Sequence, residues 1–349
     1  MNSWVKLSTD VLSSNFGKLG LPYKLTYIVT KECHSRCVNC KIWRIKPQNE
    51  LTLDEVTQFA RNSPFLSWID FTGGEPTDRP DFVQVVKAFL DHCPNLIFVH
   101  FPCNGLKPDR IEQVAKEIIA LKPKRFVVTV SIDGPSKVND GIRGIKGDFT
   151  SAVETYRRLS QLKELDVFVG MTLYPNNVHT LDQMVSEIQA IIPEFSYKKV
   201  HVNVPHVSGH YYGNTEHTDE RPSATIPDVI KSLMKKRGIP LKPFEWVERL
   251  YHNQVAKYIE TGKTPIDCSS IMSSTYLAEE GTLYPCSIWD APLGNIRQSG
   301  YSLVPLVQSA RSKLMREKIK KKDCPNCWTP CDAYPSIAAS IIKTTMGVG

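Results

Sequence analysis

Residues 33–40 read CHSRCVNC, so three of the chain's ten cysteines fall in one short segment. The segment follows TYIVT (26–30), a β-branched and aromatic run that reads as a strand. Three thiolates this close suit a metal centre but leave it one ligand short. An iron–sulfur cluster takes sulfur ligands. Zinc is the main competitor, yet structural zinc sites are four-coordinate and usually draw on two ligand pairs. No fourth Cys or His stands at zinc-finger spacing, because His34 lies inside the loop itself.

Downstream, five more strand-like runs alternate with amphipathic stretches: WIDFT (68–72), IFVHF (97–101), RFVVTVSID (125–133), VFVGMTLY (167–174) and VHVNVP (200–205). Thr52-x-x-Glu55 has the form of a capping box, and Pro80 suits the first turn of the helix over 81–92. The stretches 109–122, 151–163 and 180–192 supply three more helices. A βα alternation implies parallel strands with helical crossovers. Six units are too few for an eight-stranded barrel, so the expected α/β fold is a partial (β/α)6 barrel of the TIM type.

In such a barrel the reactive groups sit in loops after the strands. The unusual residues fall there. Strand one leads into Cys33, Cys37 and Cys40; strand two into Gly73-Gly74-Glu75-Pro76; strand three into Cys103-Asn104-Gly105; strand four ends at Ser131-Ile-Asp133-Gly134-Pro135, with Arg143-Gly144 shortly after. The glycine pair lets backbone approach a ligand closely. Glu75 suits a ligand ammonium, and Arg143 a carboxylate.

CHSRCVNC with GGEP, and SIDGP followed by IRG, resemble the radical S-adenosylmethionine (radical SAM) enzymes over about residues 24–206. The resemblance implies that Cys33, Cys37 and Cys40 hold a [4Fe–4S] cluster and that S-adenosylmethionine takes the open iron through its amino and carboxylate groups. One electron from the reduced cluster then breaks a sulfur–carbon bond, and the 5′-deoxyadenosyl radical abstracts hydrogen from a substrate. It further implies that Gly73, Gly74 and Glu75 bind the methionine amino end, with Asn104, Ser131 and Arg143 along the ribose and carboxylate. The position before the third cysteine, often aromatic in the family, is Asn39 here; Trp43 is a candidate to compensate.

Five cysteines remain after residue 260: Cys268, Cys286, Cys324, Cys327 and Cys331. Cys268-x12-Gly281-x4-Cys286 and Cys324-x2-Cys327-x3-Cys331 resemble the C-terminal extension called SPASM, or its shorter twitch form, which binds auxiliary [4Fe–4S] clusters. Five thiols suffice for one such cluster, giving two in the chain, and which four ligate stays open. Cys93 and Cys103 carry no expected metal role.

The expected organisation is an N-terminal extension (1–23), the barrel (24–206), a helical connector (207–264) with helices near 226–237 and 243–261, and a small α+β SPASM/twitch-like module (265–349). That module opens with a hairpin at 274–287 turning at Glu280-Gly281. Asn176, past strand five, and Asn203, His206, His210, Tyr211 and Tyr212, around and after strand six, are candidate substrate residues.

The net charge is +7. It concentrates in RSKLMREKIKKK (311–322), with seven basic residues against one acid; this reads as a solvated helix face and argues against specific nucleic-acid recognition. No basic segment followed by an apolar run opens the chain, and no stretch reads as a transmembrane segment, so the expected location is the cytoplasm, where clustered thiols mean metal or redox chemistry. With 32 residues ahead of Cys33, no leader-binding domain is expected before it. The expected substrate is therefore a small metabolite or lipid-like molecule, with a peptide as the alternative. The expected electron donor is a flavodoxin or ferredoxin. A non-catalytic iron–sulfur carrier would explain the cysteines but not GGEP, SIDGP or IRG.

Overall fold

The computed structural model describes residues 2–217 and 222–345. Residues 218–221 of the turn-rich stretch 207–223, and residues 346–349 of the C-terminal module, lie outside the described residues. Six strands form the barrel wall: β1 (Lys24–Thr30), β2 (Trp68–Gly73), β3 (Phe98–Cys103), β4 (Arg125–Ser131), β5 (Asp166–Thr172) and β6 (Val200–Asn203). Each pairs in parallel with the next. Crossovers run through α2 (Leu53–Arg61), α3 (Phe82–His92), α4 (Pro108–Ala120), α5 (Ser136–Arg143), α6 (Asp148–Leu159) and α7 (Leu181–Ile191), after an N-terminal α1 (Ser3–Asn15). This is the expected partial barrel.

Local chemistry accounts for most boundaries. The α2 capping box forms as read: Thr52 N donates to Glu55 Oε2 at 2.9 Å, and Glu55 N donates to Thr52 Oγ1 at 3.3 Å. Pro80 corrects the reading of α3. It lies ahead of the helix, whose N-cap is Asp81. All seven residues of β1 are buried, because helices cover one side and the barrel interior the other. Phe71, Phe82 and Phe89 meet edge-on between strand and helix, with centroids 5.5–5.8 Å apart.

The C-terminal region continues the same sheet. After α8 (Ile226–Arg237) and α9 (Pro243–Thr261) come β7 (Ser274–Leu277), β8 (Thr282–Tyr284) and β9 (Gly294–Asn295), then α10 (Val304–Gln308), α11 (Ala310–Lys320) and α12 (Pro330–Thr345). β7 and β8 form the expected hairpin, with Gly281 at φ +90° in its turn. β7 also pairs in parallel with β1, Lys24 opposite Ser274 through Tyr27 opposite Leu277. The strand order is β6-β5-β4-β3-β2-β1-β7-β8-β9. The boundary read near residue 265 therefore falls in a loop, while the sheet runs across it.

Lys24 ties this seam. Its ammonium is fully buried, 2.8 Å from Asp70 Oδ2, and donates to the Cys331 carbonyl at 2.5 Å. α1 packs on α12, with Asn15 Nδ2 donating to the Ala338 carbonyl at 2.8 Å. The basic run lies on α11, where Arg311, Lys313, Lys318 and Lys320 are exposed, as a solvated face should be. No helix among the described residues is long and apolar enough to cross a membrane.

Candidate active site

The loops after β1 to β6 converge on one rim. The cysteine loop is held there by backbone bonds from three directions. Gly74 N donates to the Thr30 carbonyl (2.8 Å) and Glu75 N to the Glu32 carbonyl (2.7 Å). Arg36 N and Val38 N donate to the carbonyls of Arg143 (3.0 Å) and Ile142 (2.9 Å) at the end of α5. Lys41 N donates to the Tyr212 carbonyl at 2.8 Å.

The glycine pair earns a more specific reading than ligand approach alone. A Cβ on Gly73 would stand 2.1 Å from the Thr30 carbonyl oxygen, and one on Gly74 2.0 Å from that of Glu32. Both neighbours are backbone and neither can swing aside, so the glycines let the β2 loop clasp the root of the cysteine loop. Gly74→Ala is therefore expected to displace that loop and to lower the iron content of the anaerobically reconstituted protein. Unchanged iron content would show that the clasp is dispensable.

Glu75 is 1% exposed. Its Oε1 accepts from Thr77 N (3.2 Å) and Thr77 Oγ1 (2.6 Å), and its Oε2 from Asn104 N (2.6 Å). The carboxyl thus staples the loops after β2 and β3, and burial raises it to about 7. Arg143 lies between Asp133 and Asp148, at 3.4 and 3.5 Å. The contact to Asp148 is made by its Nε and is too long and oblique for a hydrogen bond, and the buried Asn104 Nδ2 has no hydrogen-bond partner. A buried donor without a partner is uncommon, and both residues are among those expected at the cofactor. Ser131 ends β4 on the same rim.

Burial pushes the Cys33 thiol up to about 11 and Cys40 up to about 12, and raises Cys37 as well. Cys37 acts on both Cys33 and Cys40, Cys33 also acts on Cys40, and the Arg143 guanidinium pulls all three back down. Such thiols are inert until a cation replaces the proton. Among the described residues, no three Cys, His, Asp or Glu side chains converge closely enough for a single metal ion; a four-iron cube instead spreads its ligands around a larger body. Trp43 donates from Nε1 to the Cys37 carbonyl at 3.3 Å, with the Arg36 and Arg44 guanidiniums each 5.0 Å from its ring centroid.

A cavity of about 80 Å³ opens beside this loop. Asn39 and Cys40 line it from the cysteine loop, Thr172 and Tyr174 from the end of β5 and the loop after it, Asn203 and His206 from the end of β6 and the loop after it, Tyr212 from the connector and Thr329 from the C-terminal region. Three of the candidate substrate residues, Asn203, His206 and Tyr212, thus meet at one place. His206 is there as a strut: its Nδ1 contacts the Val204 carbonyl (2.9 Å) and its Nε2 accepts from Trp328 N (2.9 Å). Burial lowers it to about 4, so it is neutral. His210 faces the C-terminal hairpin, with Nε2 at 3.1 Å from the Cys286 carbonyl and its ring stacked on Tyr284. Tyr211 points into the barrel, its hydroxyl 2.7 Å from Thr72 Oγ1. Asn176 is exposed and does not line the cavity. Its neighbour Asn177 is fully buried and holds the turn through the Asp133 and Thr172 carbonyls (2.7 and 2.8 Å). Tyr174, Thr172 and Thr329 are site residues that the sequence does not flag, because a cavity wall drawn from five separate segments has no local signature.

At the C-terminal region, burial raises every thiol, Cys268 and Cys331 up to about 12. Beyond burial, Cys268 feels Cys324, Cys286 feels Cys268, and Cys327 feels both Cys286 and Cys268. Cys331 instead feels chiefly Lys24 and Asp70.

Residues 27–188 match the family model of the radical SAM superfamily. The chain is similar to the mycofactocin maturase MftC of Mycolicibacterium smegmatis, 30% identical over 48% of this chain and 42% of the relative. It is also similar to the antilisterial bacteriocin subtilosin biosynthesis protein AlbA of Bacillus subtilis, 23% identical over 90% of this chain and 68% of that one. Among solved structures, native anSMEcpe with bound AdoMet and Cp18Cys peptide superposes with a TM-score of 0.58, covering 94% of this chain and 99% of its own at 13% identity. That likeness concerns the fold. The chain spans less than half the length of the MftC relatives it matches. Its cysteine loop, parallel partial barrel and relatives agree: residues 27–188 are a domain of the radical SAM superfamily, whose members carry a [4Fe–4S] cluster and S-adenosylmethionine.

Proposed function

We propose that this protein is a radical SAM peptide maturase, acting on a residue of a peptide held in the cavity beside Cys40. The observation that carries the reading is that cavity: the first cysteine loop and the segment between Cys327 and Cys331 share its wall. The maturase and bacteriocin-biosynthesis relatives favour a peptide over the small metabolite or lipid-like substrate expected from sequence.

Cys33, Cys37 and Cys40 would hold the first [4Fe–4S] cluster. The loop of Gly73, Gly74 and Glu75, with Asn104, Ser131 and Arg143, would receive S-adenosylmethionine, Asn104 Nδ2 being its unpartnered donor. When bound, these groups supply a 5′-deoxyadenosyl radical that takes a hydrogen atom from the peptide. The chain positions that peptide: Asn203 and Thr172 end the two strands beneath it, while Tyr174 and Tyr212 wall off water. The neutral His206 braces the wall and takes no proton.

In this reading residues 265–349 form a twitch-like module with an auxiliary cluster, giving the oxidoreductase an electron acceptor near the cavity. Its ligands would be Cys268, Cys286, Cys324 and Cys327: the Cys-x2-Cys pair suits one cluster, and Cys324 acts on Cys268, Cys268 on Cys286, and Cys268 and Cys286 on Cys327. Cys331 is left to the Lys24 seam. Cys327→Ala is accordingly expected to remove about four irons per chain, and Cys331→Ala none; the reverse pattern in an iron assay would exchange the two assignments. A flavodoxin or ferredoxin remains the proposed electron donor, and the cytoplasm the proposed location.

The maturase reading is tested by 5′-deoxyadenosine formation from the reduced, reconstituted protein with a random peptide library and, separately, with a metabolite extract freed of peptides. Stimulation by peptides is expected. Stimulation by the extract alone would return the substrate to the small-molecule class.

A further inference from the structure

The cysteine loop turns a charged face to solvent. His34, Arg36 and Val38 are exposed along it, alternating with the more covered Cys33, Ser35 and Cys37. Residues 33–49 carry four basic side chains, Arg36, Lys41, Arg44 and Lys46, and no acid. All but Lys41 are exposed. The loop after α5 packs against this one so closely that a Cβ on Gly144 would stand 2.3 Å from the Arg36 carbonyl oxygen. It brings the exposed Lys146 with it. Among the described residues one acid, Glu216, pairs with this set, 3.3 Å from Lys41 and 3.7 Å from Arg44. Asp140, at the end of α5, is taken up by the N–H groups of Gly147 and Phe149.

An indole sits among these cations. Trp43 is half-buried, and the Arg36 and Arg44 guanidiniums each lie 5.0 Å from its ring centroid. Its Nε1 donates to the carbonyl of Cys37 at 3.3 Å. Gathering like charges at one ring costs free energy that cation–π attraction offsets only in part, and an anionic partner removes the remainder. Val38, 40% exposed, adds an apolar contact beside Cys37. The face is preformed, because Arg36 N, Val38 N and Lys41 N are all bonded to carbonyls outside the loop. Position decides what it serves. Consecutive Cα atoms are about 3.8 Å apart, so a partner resting on Arg36 and Val38 touches the residues on both sides of Cys37. The larger basic run on α11 leads instead to Cys324.

We propose that Arg36, Val38, Trp43, Arg44 and Lys46 are the docking face for the electron donor, and that this donor is an acidic flavodoxin. The proposal rests on the reading of Cys33, Cys37 and Cys40 as ligands of the first cluster, and adds where its electron enters. Carboxylates of the flavodoxin meet Arg36, Arg44 and Lys46, while Val38 and the Trp43 ring meet the apolar edge of its flavin. One electron leaves the reduced flavin, which is oxidised by one electron, and enters the oxidised cluster, which is reduced by one. No bond breaks and no proton is transferred. An apolar centre ringed by cations fits a carrier whose redox group is itself an aromatic ring at the surface. A ferredoxin, whose cluster lies under polypeptide, leaves that centre unused.

The test uses the full, anaerobically reconstituted protein. Wild type is compared with Arg44→Glu/Lys46→Glu and with Lys313→Glu/Lys318→Glu, an equal charge change on α11. Binding of dye-labelled, oxidised bacterial flavodoxin is read by fluorescence anisotropy at low and high salt. Formation of 5′-deoxyadenosine is measured against flavodoxin concentration and, separately, with dithionite. The loop variant is expected to bind flavodoxin about tenfold more weakly or worse at low salt, with a smaller gap at high salt. It should need correspondingly more flavodoxin for half-maximal product and match the wild type with dithionite. The α11 variant should follow the wild type throughout. If the loop substitutions also lower the dithionite rate, the binding measurement still decides. Flavodoxin that binds the loop variant as tightly as the wild type, or that is lost only by the α11 variant, overturns the docking face. Dithionite-driven product then keeps the reading of the cysteine loop intact. A wild type that makes no product with dithionite sinks that reading and the proposal with it. A ferredoxin weakened by the loop substitutions while flavodoxin is unaffected overturns the choice of donor, and with it the proposal.

Discussion

Replacing Cys37 by alanine is expected to bring 5′-deoxyadenosine formation down to the protein-free background and to remove about half the iron per chain. The loop should keep its shape, because what holds it is backbone. The Cys37 carbonyl still accepts from Trp43, and Arg36 N and Val38 N still donate to α5. Only a ligand is lost, and two remaining thiols cannot close a cluster that already lacks a fourth. The C-terminal thiols are untouched, so a brown protein with about four irons should remain. Cys93→Ala is the control. Its thiol is buried against the Ser63 carbonyl at 3.2 Å, away from both groups, and iron content should not change. A Cys37→Ala protein that cleaves S-adenosylmethionine at the wild-type rate would remove the assignment of the loop.

The features legible in the sequence were those with local causes. A buried parallel strand must be apolar and β-branched along its length, so six strands announced themselves. A tight clasp needs glycine, so GGEP stood out. Thiols are scarce, so eight residues with three of them asked for a metal. The unread parts depend on contacts between distant residues. Nothing local in STYL (274–277) says that it pairs beside β1, some 250 residues earlier. The histidines misled for a related reason. A loop histidine reads as a free imidazole, yet His206 and His210 each have one ring nitrogen in contact with a group two residues back and the other with a partner that only the tertiary fold supplies. Asn176 and Asn177 cannot be ranked from sequence, because which of two adjacent asparagines turns inward is decided by the carbonyls waiting for it. α1 inverts the usual pattern: it buries Ser3, Asp10, Ser14 and Asn15 and leaves Trp4, Val5 and Leu12 exposed.

Lys24 is the sharpest case of the same principle, and it carries the largest expected effect on stability. A lysine opening a strand reads as a solvent-facing end. Here it has no exposure and is bonded to Asp70 and to the Cys331 carbonyl. Lys24→Met fills the same space but leaves a buried carboxylate without its cation, and is expected to destabilise the protein by about 3–5 kcal/mol. The pH dependence identifies the cause. Burial alone would raise the Asp70 carboxyl, but Lys24 and His100 outweigh it and hold the group below the usual carboxylate range. A carboxyl depressed on folding contributes stability that is present above its unfolded pKa of about 4 and lost as pH falls toward the folded value. Without Lys24, burial raises the same carboxyl, and the sign reverses: the contribution is present below about pH 4 and lost as pH rises. The gap between wild type and variant should therefore be wider at pH 7 than at pH 5, read as urea midpoints on reconstituted protein. Asp70→Asn in the Lys24→Met background should narrow it, because asparagine removes the stranded charge while its side-chain oxygen still accepts from Trp68 Nε1, now bonded at 2.7 Å. A gap that does not change with pH would mean that Lys24 contributes through packing and its Cys331 contact. The buried ion pair would then have no part in joining the barrel to the C-terminal region.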